Sequence, residues 1–128
     1  MDFYRMLNSR KPEITVSKRF FSRRADVFND LASTGFWPLT LVTNQSTTQP
    51  PHYHDLDSHA YIMEGKVVIK DVTKQTSYDL EPGDKVIIPA YTVHLEMESS
   101  SRVIYIISIP EARRLKEFLP AIPMKGEP

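Results

Sequence analysis

Pro50-Pro51-His52-Tyr53-His54-Asp55-Leu56-Asp57-Ser58-His59-Ala60-Tyr61-Ile62-Met63-Glu64-Gly65 carries three of the four histidines of this chain. A second stretch, Pro82-Gly83-Asp84-Lys85-Val86-Ile87-Ile88-Pro89-Ala90-Tyr91-Thr92-Val93-His94, carries the fourth. Residues two apart on a strand face the same side, so His52 and His54 point together, as they would not on a helix. His59 stands five positions beyond His54 and would face the other way on one unbroken strand. Asp55, Asp57 and Ser58 supply turn chemistry between them, and a reversal there is expected to restore its direction. His59, Tyr61 and Met63 then share a face. The four imidazoles read as one metal site assembled on β-strands.

The flanking chain agrees with a β-rich domain. Glu13–Phe20 is expected as a first strand, and Ser22 as the N-cap of a short helix over Arg23–Ser33. Val27, Phe28 and Leu31 give that helix its apolar stripe, and Gly35 suits its end. Leu39–Thr43, Val67–Val72, Tyr78–Leu80, Val86–Ile88, Val93–Glu98 and Val103–Ile109 read as short strands rich in Val, Ile, Tyr and Thr, separated by turn signals such as Pro82-Gly83-Asp84. The last of them is apolar on both faces and should lie deep in a sheet. Pro110 is expected to open a closing helix, with Leu115, Phe118 and Leu119 at helical spacing and Pro120 ending it. Many short strands at this spacing suggest a sandwich or a jelly roll, and periodicity does not choose between them.

Bulk properties narrow the classes. A length of 128 residues predicts one domain. The absence of cysteine excludes disulfides and thiolate ligands. No apolar run is long enough for a membrane span and no signal-peptide core opens the chain, so a soluble, cytoplasmic protein is expected. Charge is balanced overall but uneven: residues 1–24 hold seven Lys/Arg and two Asp/Glu, whereas residues 52–98 hold four and nine. Neither a reading helix nor an aromatic platform accompanies the basic arm, and no nucleic-acid or membrane partner is expected.

The two histidine stretches resemble the paired motifs of the cupin superfamily. His52 and His54 match the H-x-H pair of the first motif, His59 stands where the family usually has glutamate, and Gly65 matches the closing glycine, one residue early. Pro82 and Gly83 match the start of the second motif, Pro89 its internal proline and His94 its histidine. Ser46 replaces the opening glycine, Tyr91 the second motif's glycine and Glu98 its final asparagine. The resemblance implies an all-β fold, the double-stranded β-helix or jelly-roll barrel, with short flanking helices. One cupin domain then fills residues 1–128: a core barrel at about 36–109, an N-terminal arm and helix at 1–35, and a C-terminal helix and tail at 110–128. It also implies a homodimer, and a metal inside the barrel mouth held by His52, His54 and His94, with His59 in the glutamate's place.

Four neutral nitrogens leave the double charge of a divalent ion uncompensated, and an octahedral ion so held keeps two open positions. Such a shell suits iron, manganese, nickel, copper or zinc. Imidazoles must be unprotonated to bind, so the metal is expected to leave as pH falls through roughly 6.5. Tyr61, on the face of His59, and Glu96, on the face of His94, are the candidate catalytic groups for moving a proton. The reading that follows is a metal-dependent enzyme acting on a small organic molecule, an oxidoreductase of dioxygenase type that cleaves an enolate or diketone-like substrate. The alternatives are an isomerase or lyase using the metal as a Lewis acid, a ligand-sensing or carbohydrate-binding module without turnover, and a closed zinc site of purely structural purpose.

Overall fold

A computed structural model describes residues 13–43, 47–99, 101–113, 115–118 and 122–123. The basic arm up to residue 12, Ser46, Leu119 and Pro120, on which some of these expectations fall, lie outside the described residues. Among the described residues, ten short strands form two five-stranded sheets. The first has the order β1 (Thr15–Ser17), β7 (Lys85–Ile88), β4 (Ser58–Glu64), β9 (Val103–Ile109) and β2 (Trp37–Thr43). The second has the order β10 (Ile122–Pro123), β3 (His52–Tyr53), β8 (His94–Glu96), β5 (Val67–Asp71) and β6 (Thr76–Leu80). Every pairing is antiparallel. The core is filled from both sheets by Ile62, Ile69, Leu80, Val86, Val103 and Ile109, all at or below 4% exposure. The all-β jelly-roll expectation holds.

Strand β9 takes the bounds its apolar run predicts and sits between β4 and β2. Its alternation sends Val103, Tyr105, Ile107 and Ile109 inward. At the end of β4 the register with β9 shifts between Ile62 and Glu64, and Gly65 turns the chain at φ 83°. A Cβ at Gly65 would stand 2.2 Å from the Arg102 carbonyl oxygen, so no other residue fits without moving the backbone.

Helix α1 (Arg24–Thr34) lies close to its expected span and ends at Gly35 in the left-handed conformation, whose N–H donates to the Leu31 carbonyl. Its start differs. Asp26 reaches back to accept from the backbone N–H groups of Ser22 and Arg23, so a carboxylate in the first turn does the capping expected of the Ser22 hydroxyl. Val27 and Leu31 bury against Tyr61 on the outer face of the first sheet, with Phe21, Met63 and Ile106 around them. A short helix α2 (Leu115–Phe118) follows β9. The tight turn before β7 is pinned by Asp84, fully buried, which accepts from the Lys18 ammonium and from the backbone N–H groups of Arg19 and Glu81. No helix among the described residues is long and apolar enough to cross a membrane.

Candidate metal centre

His52 on β3 pairs in register with His94 on β8, and His54 follows two residues along. The ring centroids of His52 and His94 are 4.6 Å apart, and His54 is 5.5 Å from each. One nitrogen from each ring lies within 4.8 Å of the others, an arrangement that could hold a metal ion. The second nitrogens are already committed. His52 Nδ1 is 2.9 Å from the Pro50 carbonyl and His94 Nδ1 is 2.8 Å from the Thr92 carbonyl. A carbonyl only accepts, so each Nδ1 carries the proton and each Nε2 is left with a lone pair. The His54 ring is hydrogen-bonded to the Phe118 backbone and stacks on the Phe118 ring at 4.3 Å and 11°. Fixing one ring nitrogen with a carbonyl is how metal-binding histidines are oriented, and the residues present fit a divalent transition metal.

Burial favours the neutral form of two of these rings. His54 is lowered to about 4 by desolvation and then by the neighbouring His94 and His52, and His94 is lowered to about 4 chiefly by desolvation. The lone pairs therefore persist well below the pH 6.5 at which metal release is expected from ordinary histidines. The cavity before the cluster has a volume of about 410 Å³. Its walls include Leu41, Ile69, Ile88 and Ile107, with Glu96 and Tyr105 as polar members. Glu96 is two residues beyond His94 on the same face of β8, and burial raises its pKa, with Tyr105 opposing. The Tyr105 hydroxyl lies beside that carboxyl but makes no hydrogen bond of ordinary geometry.

His59 and Tyr61 fall elsewhere. Ser58, Ala60 and Ile62 are the inward residues of β4, so His59, Tyr61 and Met63 share a face as expected, but it is the face turned to α1. The chain does reverse after His54, yet it also crosses from the second sheet to the first, and that crossing sets the side on which His59 emerges. The His59 ring packs on Phe36 at 4.5 Å, and its Nδ1 is buried without a hydrogen bond. Burial, then the nearby Lys85 ammonium, lowers its pKa. Tyr61 is fully buried and donates to Asp30 at 2.5 Å, which also receives the Lys85 ammonium at 2.6 Å. The described metal-ligating group is thus three histidines, and the fourth imidazole is not brought to it.

Sequence reasoning placed Glu96 on the cavity side through its spacing from His94, but missed Tyr105 and Phe118. The alternation of β9 held the signal for Tyr105. Phe118 comes from a helical turn more than sixty residues from His54, and nothing local announces that contact.

No family model matches the sequence, and no curated protein matches it. Solved structures do. A cupin-2 domain protein from Shewanella frigidimarina superposes with a TM-score of 0.50 at 16% identity, covering 88% of this chain and 94% of that one. The polyketide cyclase RemF from Streptomyces resistomycificus gives 0.54 at 17% identity, over 90% and 75%. The TDP-quinovose 3,4-ketoisomerase WlaRB from Campylobacter jejuni gives 0.53 at 13% identity, over 69% of each chain. The fold is that of the cupins. Within it, this chain gathers His52, His54 and His94 in the wall of a mostly apolar cavity.

Proposed function

We propose that the protein is a metal-dependent enzyme that moves a proton on a small carbonyl- or enol-bearing molecule held in the barrel, as an isomerase, cyclase or lyase does. The observation that carries this reading is the convergence of three imidazoles, each with one nitrogen tied to the backbone, on a cavity that also contains a carboxyl group. A divalent transition metal bound to His52, His54 and His94 supplies Lewis-acid polarisation of a substrate oxygen. Glu96 is the cavity group that takes or returns the proton at the adjacent carbon. Tyr105 stands beside it, and the apolar walls limit the water around the reacting atoms. That cupin structures similar to this one include a polyketide cyclase and a ketoisomerase supports the reading.

The test is solvent-deuterium incorporation into small enolisable ketones, followed by NMR, with metal content measured by elemental analysis. Exchange that needs the metal, and that Glu96→Gln abolishes while metal content stays, is expected. Full metal content in a His52→Ala/His94→Ala double variant would overturn it. A dioxygenase is the second reading, favoured by the small number of clustered ligands, because three nitrogens leave open positions for both substrate and dioxygen. Oxygen uptake by the iron-loaded protein, in place of deuterium exchange, would select it.

A further inference from the structure

We propose that the barrel cavity takes a largely apolar molecule of one- or two-ring size that offers a hydroxyl or carbonyl oxygen to the histidine end, and that its walls, apart from the metal end, give a phosphorylated sugar nothing to bind. The inference rests on the reading of the histidine cluster as a binding centre and adds the class of substrate. Its basis is the chemistry of the wall. The chain has 16 Lys and Arg residues, yet none is among the described residues that line the cavity. Two of the chain's cations are engaged with carboxylates outside the lining. Lys85 is paired with Asp30 on the helix side of the first sheet, and Arg113 is paired with Asp55 and Glu111.

Apart from a metal held by the histidines, a phosphate that entered would meet Leu41, Ile69, Ile88, Ile107 and Phe118 with no cation among the described lining residues, and burying an unpaired charge against such walls is strongly unfavourable. Glu96 gives no help in either protonation state: ionised it repels an anion, neutral it leaves the anion uncompensated. What the wall does satisfy is mostly apolar surface, interrupted by the small polar groups of Thr43, Gln49 and Ser58 and by two stronger polar spots. One is the histidine cluster. The other is the Glu96–Tyr105 pair, whose backbone position lies roughly 7 Å along β8 from His94 by the rise of a strand. That spacing suits oxygen functions on opposite sides of a ring. A cavity of about 410 Å³ stands at the small end for ligand pockets. Phe118, stacked on His54 and 4% exposed, closes one side of it, so the size limit resides in that ring.

Calorimetric titration with 2-naphthol and with glucose 6-phosphate tests this, on zinc-loaded and on metal-free protein with zinc measured in each sample. Saturable naphthol binding is expected in both forms, and at least tenfold tighter than that of the sugar phosphate in the metal-free form, where only the walls discriminate. Leu41→Trp, which fills the cavity from the edge strand β2, should weaken naphthol at least tenfold and leave zinc content unchanged. Should that variant not fold, Phe118→Ala serves instead, and is expected to raise affinity for three-ring 2-anthrol relative to 2-naphthol at least threefold. Glucose 6-phosphate bound as tightly as naphthol by the metal-free protein, no saturable naphthol binding, or binding indifferent to the folded cavity variant overturns the inference. Naphthol bound by a protein that never takes up zinc would sink the metal reading and leave this one standing.

Discussion

Strand β4 separates two polar clusters of opposite character. On its inner side Ser58, Ala60 and Ile62 face a cavity where His52, His54 and His94 each spend one nitrogen on the backbone and turn the other towards their neighbours. On its outer side Tyr61 and Lys85 both bond Asp30, with His59 beside them under α1. The outer groups satisfy one another: a hydroxyl and an ammonium meet a carboxylate, and the helix is fastened to the sheet. The inner groups present like to like, three ring nitrogens with no proton or cation to share among the described residues. Clusters that complete themselves hold a fold together, whereas clusters that remain chemically incomplete are where ligands bind. The number of histidines in a stretch of sequence says less than the side of the strand on which each emerges.

The largest test of that contrast removes one ring from each side. His94→Ala should weaken metal binding by at least about 100-fold, above the range seen when only a ligand's supporting group is lost. His59→Ala should leave metal stoichiometry and affinity unchanged, since its ring contacts Phe36 and not the cluster. Elemental analysis and a competitive chelator titration check both. Equal losses from the two variants would mean that His59 belongs to the centre after all.

Next in size is the outer cluster. Asp30→Ala leaves the Lys85 ammonium, whose side chain is 8% exposed, without its partner, and should destabilise the fold by about 3 kcal/mol. Tyr61→Phe removes one hydrogen bond and keeps the ion pair, for a loss of about 1 kcal/mol. Chemical denaturation reads both, and metal affinity should not move. If Asp30→Ala abolished metal binding in a protein that remained folded, the division into a structural and a binding side would fail.

Acid should separate the two sides. In the metal-free protein His54 and His94 titrate near 4, below the 6.5 of a free imidazole, so the unfolded chain binds more protons between these values. Their contribution is therefore complete above pH 6.5 and declines as pH falls towards 4. Asp30 lies on the other side of this balance. Burial pushes its pKa up, but its bonds to Lys85 and Tyr61 outweigh that and hold it below the usual 3.8, so its contribution persists until pH falls through that region. Stability measured by denaturation at stepped pH should fall first through the inner histidines and only later through Asp30. Zinc should protect the first phase and not the second. A single transition that zinc leaves unaltered would contradict this order.

These contrasts also mark what the chain discloses by itself. The parity of His52 and His54, the two-residue step from His94 to Glu96, the Gly35 stop and the apolar run of β9 are local, and the structure keeps each of them. The facing of His59 is not local. It depends on how residues 55–57 carry the chain from one sheet to the other, and turn-forming residues reveal that a reversal occurs but not the sheet in which the next strand lands. A subtler signal existed. Val27 and Leu31 of α1 need an apolar surface to cover, and Tyr61 with Met63 offers one, which places His59 on the covered side with them. The contact of Phe118 with His54 has no such signal, because it joins segments related only through the finished barrel.

The smallest expected effect concerns Tyr91, at the place of the cupin motif's glycine. Tyr91 has φ 63°, the left-handed conformation that glycine enters freely and that costs another residue roughly 1 kcal/mol. Its ring is largely exposed and stands 5.8 Å from that of Tyr53 on the outside of β3, a pair worth about 1 kcal/mol. Its backbone N–H donates to the His54 carbonyl at 2.8 Å, a bond that any residue would keep. Tyr91→Ala loses the aromatic contact and retains the strain, so a destabilisation of about 1 kcal/mol is expected. Tyr91→Gly loses the same contact but relieves the strain, against the added freedom of glycine in the unfolded chain, and should be the milder of the two. Metal affinity should be the same in both. Were the glycine variant the less stable, the aromatic contact and the left-handed turn would not be the opposing terms, and the ring would have to act through the cavity side instead.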